Sequence, residues 1–166
     1  QSEYLSDLLD YMEKYQLVTN ARVDRRRIEK LDRLVPRIVI AAMPETLDYL
    51  LAGGRLSKSS WMVGKLLSII PIITFIDGRV EVLLKKRGIK QCKRTVVEMI
   101  QTNQADKDYG IIAAYTYNKG NVDDMIQMLP DDYKSAISVY DDLCCSIACH
   151  WGPNAFGFIY VKGEGK

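Results

Sequence analysis

The sequence predicts an α+β fold, with a mixed or mostly antiparallel sheet of about five to six strands and helices packed against it. Short β-branched runs bounded by turn residues alternate irregularly with segments of helical period, which is typical of this class. Two consecutive apolar runs are joined by Asp77-Gly78, the strongest hairpin signal in the chain, so one strand pair is expected to be antiparallel. With 166 residues, of which 48% are apolar, the chain can bury the core of an ordinary domain.

The first half of the chain has clear local signals. Two amphipathic helices are predicted over 3–18 and 24–35, before a β-branched strand over 36–43. A short helix is expected to stop at Gly53-Gly54, because glycine enters the left-handed conformation after a helix without steric cost. Ser57 is expected to cap the helix that follows. The elements predicted in this central stretch are helices over 46–52 and 58–69 and strands over 70–76 and 79–86.

The second half continues the alternation. A helix over 89–101 is expected to turn Val96, Val97 and Ile100 inward and Lys93 toward solvent. The remaining predicted elements are a strand over 109–117, a short helix over 122–129, a turn or short helix from Pro130, and strands over 143–149 and 155–161.

Composition excludes several classes of protein. A net charge of +2 with dispersed Lys and Arg does not indicate nucleic-acid binding. The longest apolar run, over 69–76, is far shorter than the ~20 residues that a membrane-spanning helix needs. The polar first residues do not form a secretory signal, and the four cysteines do not form a disulfide framework, so we expect a reducing, cytoplasmic setting.

Two segments about a hundred residues apart resemble one known family. The first is the order of helix, Gly53-Gly54-Arg55, capped helix, strand and Asp-Gly turn. The second is the segment His150-Trp151-Gly152-Pro153-Asn154-Ala155-Phe156-Gly157. Together they resemble the DegV family of bacterial fatty-acid-binding proteins, whose sequences carry Gly-Gly-Arg-(Ile/Leu)-Ser and a late His-x-Gly-Pro-Gly-x-x-Gly segment.

The resemblance implies a function and a domain arrangement. Proteins of this family bind a long-chain fatty acid between two domains and present its carboxylate to a separate fatty acid kinase, which makes acyl phosphate. The resemblance therefore implies a carrier subunit that is not an enzyme and needs no cofactor. Complete family members are roughly twice as long, and this chain begins with Gln1, so we expect a C-terminal domain over 36–166. Residues 1–35 would then be a helical segment from the end of the first domain or from the connection between domains.

The resemblance also assigns roles to individual residues. It implies that His150 binds the fatty-acid carboxylate, with the backbone of Gly152 close to the ligand; from sequence alone, an ordinary surface histidine is the alternative. Trp151 and Asn154 stand where the family usually has a small or hydroxyl residue and a glycine. By resemblance Arg55 lies at the ligand entrance, where the kinase docks, although it is also placed to bond the last carbonyls of its helix.

Other residues have weaker assignments. The apolar residues expected to include contacts of the acyl chain are Trp61, Met62, Leu66, Ile69 and Ile73. An apolar stripe of this kind is more often core. The spacing of Cys145, Cys149 and His150 superficially suggests zinc, but on a strand these cysteines would lie well apart, so we predict no metal site. A Cys149–His150 nucleophile is disfavoured because neighbours on a strand face opposite sides.

One alternative from another class remains open. The chain could be a structural or protein-interaction domain with no ligand site of its own. In that case the helices over 3–18 and 24–35 would mediate self-association as a homodimer.

Overall fold

The structure is a computed structural model that describes residues 25–76, 79–143 and 145–164. The chain divides into two units between Arg37 and Ile38. In the first unit, helix α1 covers Arg25–Leu34 and a 3-10 turn covers Val35–Arg37, which confirms the helix predicted over 24–35. The helix predicted over 3–18 lies outside the described residues.

The second unit is built on one six-stranded mixed sheet with the strand order β3-β2-β1-β6-β4-β5. Neighbouring strands are antiparallel except β4 and β5, which are parallel, so the predicted fold class is confirmed. The strands are β1 (Ile38–Met43), β2 (Ile69–Ile76), β3 (Arg79–Arg87), β4 (Ile111–Tyr115), β5 (Ile137–Asp142) and β6 (Phe156–Val161). The helices are α2 (Asp48–Ala52), α3 (Lys58–Leu66), α4 (Ile89–Thr102), α5 (Gly120–Met128), α6 (Asp131–Lys134) and α7 (Cys145–Trp151).

Strands β2 and β3 form the expected antiparallel pair at one edge of the sheet. Ile76 lies opposite Arg79, so a two-residue connection joins the strands; its residues, 77 and 78, are outside the described part. The register shifts between Ile72, opposite Leu84, and Ile73, opposite Val82. This irregularity is a β-bulge, which increases the local twist of an edge strand.

One face of the sheet carries the main hydrophobic core, which we call the first face. Helices α4 and α5 cover it, and alternate residues of β1, β2, β4 and β6 pack beneath them. Val96, Val97 and Ile100 point inward as predicted. Lys93 does so too, so its predicted outward position is wrong. Its side chain is 6% exposed, its Nζ donates to Asp124 Oδ2 at 2.7 Å, and this ion pair allows the ammonium to lie at the core edge.

The opposite face, the second face, is covered by the short helices α2 and α7. Its buried cluster is small and consists of Ala42, Leu50, Ile73, Trp151 and Ala155. The two helices end against each other over this face. The second face therefore brings residues from positions near 50 into the neighbourhood of residues near 150.

The strand predicted over 143–149 is wrong. Residues Cys145–Trp151 form helix α7, and the strand of this region is β5, which the prediction missed. The run LCCSIAC consists of small and apolar residues without glycine or proline, and a short run of that kind fits a buried helix as well as a strand. Strand β5 ends in Asp141-Asp142, and aspartate is depleted in strands, so the local sequence did not indicate a strand here. Its parallel pairing with β4 stabilises the extended conformation instead.

No described helix is both long enough and apolar enough to cross a membrane.

Candidate functional site

The C-terminal end of α2 forms a tight backbone corner. Gly54 has a φ of 72°, its N–H donates to Leu51 O at 3.0 Å, and the Arg55 N–H donates to Leu50 O at 2.8 Å. This pair of bonds is the Schellman arrangement that glycine permits, and it confirms the predicted stop. The Arg55 guanidinium donates to the carbonyl oxygen of Gly53, so one of its donors is used in closing the corner.

The next helix begins as predicted. Ser57 is the N-cap of α3, and its hydroxyl oxygen accepts a hydrogen bond from the Ser60 N–H at 3.2 Å. Helix α3 is also tied to α2, because Trp61 Nε1 donates to Asp48 Oδ1 at 2.7 Å. Lys65 Nζ lies 3.7 Å from the same carboxylate oxygen and 4.7 Å from the Trp61 ring centroid.

The segment after α7 turns sharply at Gly152. Its φ is 86°, and a Cβ atom there would lie 2.4 Å from the Cδ2 atom of the Tyr49 ring. Glycine is thus required both for the backbone conformation and for the approach of Tyr49. Asn154, also left-handed with a φ of 67°, donates from Nδ2 to Glu45 Oε2 at 2.6 Å. Asparagine tolerates this conformation better than most residues, as expected from the sequence.

The two motif segments meet on the second face. The Nδ1 atom of His150 lies 3.0 Å from the position that a Cβ atom on Gly53 would occupy, and Arg55 Cδ lies 3.8 Å from that position. A side chain at Gly53 would therefore crowd the imidazole. The structure brings His150 and the Gly53-Gly54-Arg55 corner together, with His150 exposed to solvent.

Trp151 does not lie on the surface. It is 7% exposed, belongs to the buried cluster of the second face, and stacks on Phe75 with ring centroids 6.1 Å apart. Its bulk fills space between α7 and the sheet, where a small residue would leave a gap. Trp151 thus acts as a packing residue that anchors the end of α7.

The residues predicted to contact an acyl chain do not share one environment. Ile73 is buried, Trp61 and Ile69 are half-buried, and Met62 and Leu66 are 56% and 82% exposed. They are thus not a continuous core stripe. Helix α3 instead presents Met62 and Leu66, one helical turn apart, to solvent, and neighbouring exposed apolar side chains can mark an interaction or ligand site.

A cavity of about 290 Å³ lies between the loop after β1 and the junction of α3 with β2. Its wall includes the apolar Leu47, Ile69 and Ile70, and the charged Glu45 and Lys65. Of the residues predicted to contact an acyl chain, it therefore includes Ile69 alone.

The described part of the chain contains no group of three potential metal ligands. Cys92 is buried, whereas Cys149 is exposed. Both Cys149 and His150 lie on helix α7, so the strand argument that separated them does not apply. Neighbours on a helix are about 100° apart, which does not place a thiol against the adjacent imidazole.

Sequence reasoning missed two residues of this region. Thr116 follows β4, is 1% exposed, and hydrogen-bonds to the turn after α7. Tyr49 supplies the ring that packs on Gly152. Neither residue lies in a recognisable motif. The one sequence signal that bears on Thr116 is the strand predicted over 109–117, which places it near a strand end.

The chain belongs to the DegV family. The family model described as "Uncharacterised protein, DegV family" matches residues 24–163. A DegV domain-containing protein of Clostridium acetobutylicum is 34% identical over 122 residues, which is 71% of this chain and 41% of that protein. One from Caldanaerobacter subterraneus subsp. tengcongensis is 29% identical over 131 residues, 77% of this chain and 46% of that protein. The chain thus spans about half the length of the curated relatives it matches.

Solved structures of the same fold are similar to this chain. A fatty acid binding DegV family protein from Streptococcus agalactiae matches with a TM-score of 0.71 and 26% identity, over 85% of this chain and 50% of that one. The Streptococcus pneumoniae Fatty Acid Kinase (Fak) B3 protein, loaded with linoleic acid, matches with a TM-score of 0.69 and 18% identity, over 97% of this chain and 54% of that one. At that identity the second match shows the fold alone.

Proposed function

We propose that this chain is the C-terminal part of a DegV carrier that binds a long-chain fatty acid and presents its carboxylate to a separate fatty acid kinase. In this proposal the carrier is cytoplasmic, is not an enzyme, and needs no cofactor. Support comes from family membership and from the ligands named for similar structures, among them stearic acid in a protein from Eubacterium ventriosum with 21% identity and a TM-score of 0.66.

One observation carries the proposal to particular residues. The two segments that characterise the sequence, near positions 53 and 150, form one surface, with the His150 ring against Gly53. An imidazole N–H donates to a carboxylate, and more strongly when the ring is protonated. The resemblance also implies a Gly152 backbone close to the ligand, but in the structure both backbone groups of Gly152 are hydrogen-bonded within the protein and the Tyr49 ring packs over it. His150 is therefore the proposed headgroup-binding residue, and Gly152 forms the turn that follows it.

Arg55 is proposed to act at the entrance to the site. Its side chain borders the same position beside Gly53 as His150, and it is exposed. A guanidinium carries five N–H donors, so the bond to the Gly53 carbonyl leaves others available. The remaining N–H donors can then bind an acidic surface of the kinase or a phosphate group.

The acyl chain requires only apolar walls. Each buried CH₂ contributes about 0.8 kcal/mol to binding before ordering costs. Met62 and Leu66 expose apolar surface on α3, and Ile73 and Trp61 lie deeper. We propose that this set contributes to the acyl site together with Ile69.

The direct test is native mass spectrometry of the natural protein that contains this chain, expressed in bacteria. We expect a co-purified C16 or C18 fatty acid, lost or strongly reduced in His150→Ala. His150→Gln, which keeps an N–H donor, should retain more ligand than His150→Ala. Glu98→Ala is the matched control, because Glu98 is exposed on α4 over the opposite face and should leave the ligand in place.

A ligand-free protein, even after incubation with excess fatty acid, would contradict the carrier proposal. It would favour the second candidate, a protein-interaction domain. That candidate has support from the exposed apolar side chains of α3, of which Leu66 is 82% exposed. A self-associating homodimer, also predicted from the sequence, is one form that such an interaction could take.

A further inference from the structure

Thr116 lies at the point where strand β4 meets the turn after α7. Its backbone extends the pairing of β4 with β6, since its N–H donates to Ala155 O at 2.8 Å and its carbonyl accepts from the Asn154 N–H at 3.0 Å. Its hydroxyl donates to the Gly152 carbonyl at 2.8 Å and accepts from the Ala155 N–H at 2.9 Å. One buried side chain therefore bonds to both ends of the four-residue turn over 152–155.

These two bonds satisfy backbone groups that are hidden from water. Thr116 is 1% exposed, and Gly152 and Ala155 are both buried. A buried carbonyl or N–H without a partner costs more than a hydrogen bond normally contributes. The turn thus depends on a hydroxyl at position 116, and an apolar side chain of the same shape would not replace it.

The same turn is fixed on its other side by Tyr49, whose ring packs where a Cβ atom on Gly152 would be. The end of α7 is therefore held between the Thr116 hydroxyl and the Tyr49 ring. His150 lies two residues before Gly152, and the Gly152 N–H donates to Ala148 O at 2.8 Å, so the turn is continuous with the last turn of the helix. Gly152 and His150 therefore belong to one hydrogen-bonded turn.

We propose that Thr116 is a positioning residue of the carboxylate site: its hydroxyl holds the turn over 152–155 so that His150 faces the ligand beside Gly53. This inference rests on the proposed function, since it adds to the same site a residue that does not touch the ligand. Thr116 acts through the Gly152 carbonyl and the Ala155 N–H.

The first test observes the His150 ring directly. The chain contains one histidine, so its imidazole signals in a proton–carbon NMR spectrum need no assignment. Thr116→Val should shift these signals, whereas Thr116→Ser should leave them in place. Thr74→Val is the matched control, because Thr74 is also buried, at 6% exposure, and lies on β2, which is separated from β4 by β1 and β6.

Unchanged His150 signals in Thr116→Val would overturn the proposal, as would an equal shift in Thr74→Val. If Thr116→Val does not fold, Thr116→Ala removes the same hydroxyl with a smaller side chain, and the same two outcomes decide.

The second test measures fatty-acid affinity in the natural protein that contains this chain. Thr116→Val, which removes both hydroxyl bonds to the turn, should weaken binding about tenfold, the size expected when a displaced His150 ring loses its one hydrogen bond to the carboxylate, and Thr116→Ser should restore binding to within about twofold. Equal affinity in wild type and Thr116→Val would exclude the role in binding. If wild type itself does not bind fatty acid, the proposed function fails, and the His150 signals still show whether Thr116 sets the ring position.

Discussion

The two faces of the sheet differ in how they are covered. The first face lies under α4, of 14 residues, and α5, of 9 residues, and its Phe158, Ile100 and Met125 are fully buried. The second face lies under α2 and α7, of 5 and 7 residues, and its buried cluster is small. Beyond these short helices the face continues into Phe75, which is 44% exposed, with Val80 opposite it on β3.

Under the proposed function, this difference separates the part of the chain that stabilises the fold from the part that binds the ligand. Long amphipathic helices bury a large apolar area, which is the main favourable term in folding. Short helices bury little apolar area. Their ends nevertheless bring backbone groups and polar side chains to defined positions on a face of the sheet. Both segments that carry the family resemblance, around Gly53 and His150, lie at such ends. The first face therefore acts as the scaffold on which the second face displays the site.

The largest expected effect compares two adjacent isoleucines of β2. Ile72 and Ile73 are 0% and 2% exposed and point to the first and second faces. Truncating a buried isoleucine to alanine costs roughly 2–5 kcal/mol, depending on how well the site can collapse. We expect Ile72→Ala near the upper end, at about 4 kcal/mol, and Ile73→Ala near the lower end, at about 2 kcal/mol, because the thin cover over Ile73 can relax.

Urea unfolding of the two variants measures this difference, provided that their m-values stay equal to that of wild type. Equal losses in stability would show that the second face is packed as tightly as the first. The distinction between a tightly packed first face and a thinly covered second face would then be wrong.

A smaller effect is expected from two glycines of the second face. Gly152 and Gly54 have similar positive φ values of 86° and 72°, but a Cβ on Gly152 would collide with Tyr49, whereas a Cβ on Gly54 meets nothing within 4 Å. Gly54→Ala should cost only the left-handed conformation, about 1 kcal/mol. Gly152→Ala should cost about 2–3 kcal/mol, since Tyr49 must also move.

Thermal unfolding gives both values, and the His150 ring signals give a second readout. Gly152→Ala should shift those signals through the displaced end of α7. An equal loss of stability in Gly54→Ala and Gly152→Ala would show that the Tyr49 ring adds nothing to the requirement for glycine at position 152.

Local signals predicted much of the fold. Gly53-Gly54 stopped a helix, Ser57 capped the next, and the inward positions of α4 followed from helical period. Each of these depends on neighbours in sequence, so each can be read from a single segment. Lys93 departs from the pattern because its stem lies along the core while its ammonium reaches Asp124 on another helix.

The site was predictable only in part. The sequence indicated His150 and Gly152 as a segment but placed it after a strand over 143–149 that is in fact part of a helix, because small apolar residues do not distinguish the two structures. The bonds of Thr116 to Gly152 and Ala155 join positions about 36 to 39 apart. Contacts of this range arise from strand pairing in the finished sheet, and no local propensity encodes them.

The smallest effect concerns two cysteines, one on each face, and needs no change in stability. Cys92 lies on the buried side of α4, its Sγ donates to Ile70 O at 3.7 Å, and burial raises the pKa of its thiol above the ordinary value. Cys149 is exposed on α7. Because the thiolate is the reactive species, iodoacetamide at pH 8 should modify Cys149 at least about tenfold faster than Cys92.

Tandem mass spectrometry assigns each modified residue. Cys149→Ser should remove the modification at position 149 without exposing Cys92, and the two thiols should react alike in urea. Equal modification rates of Cys92 and Cys149 in the folded protein would mean that α4 separates from the sheet often enough to expose Cys92. The first face would then protect its residues from solvent no better than the second.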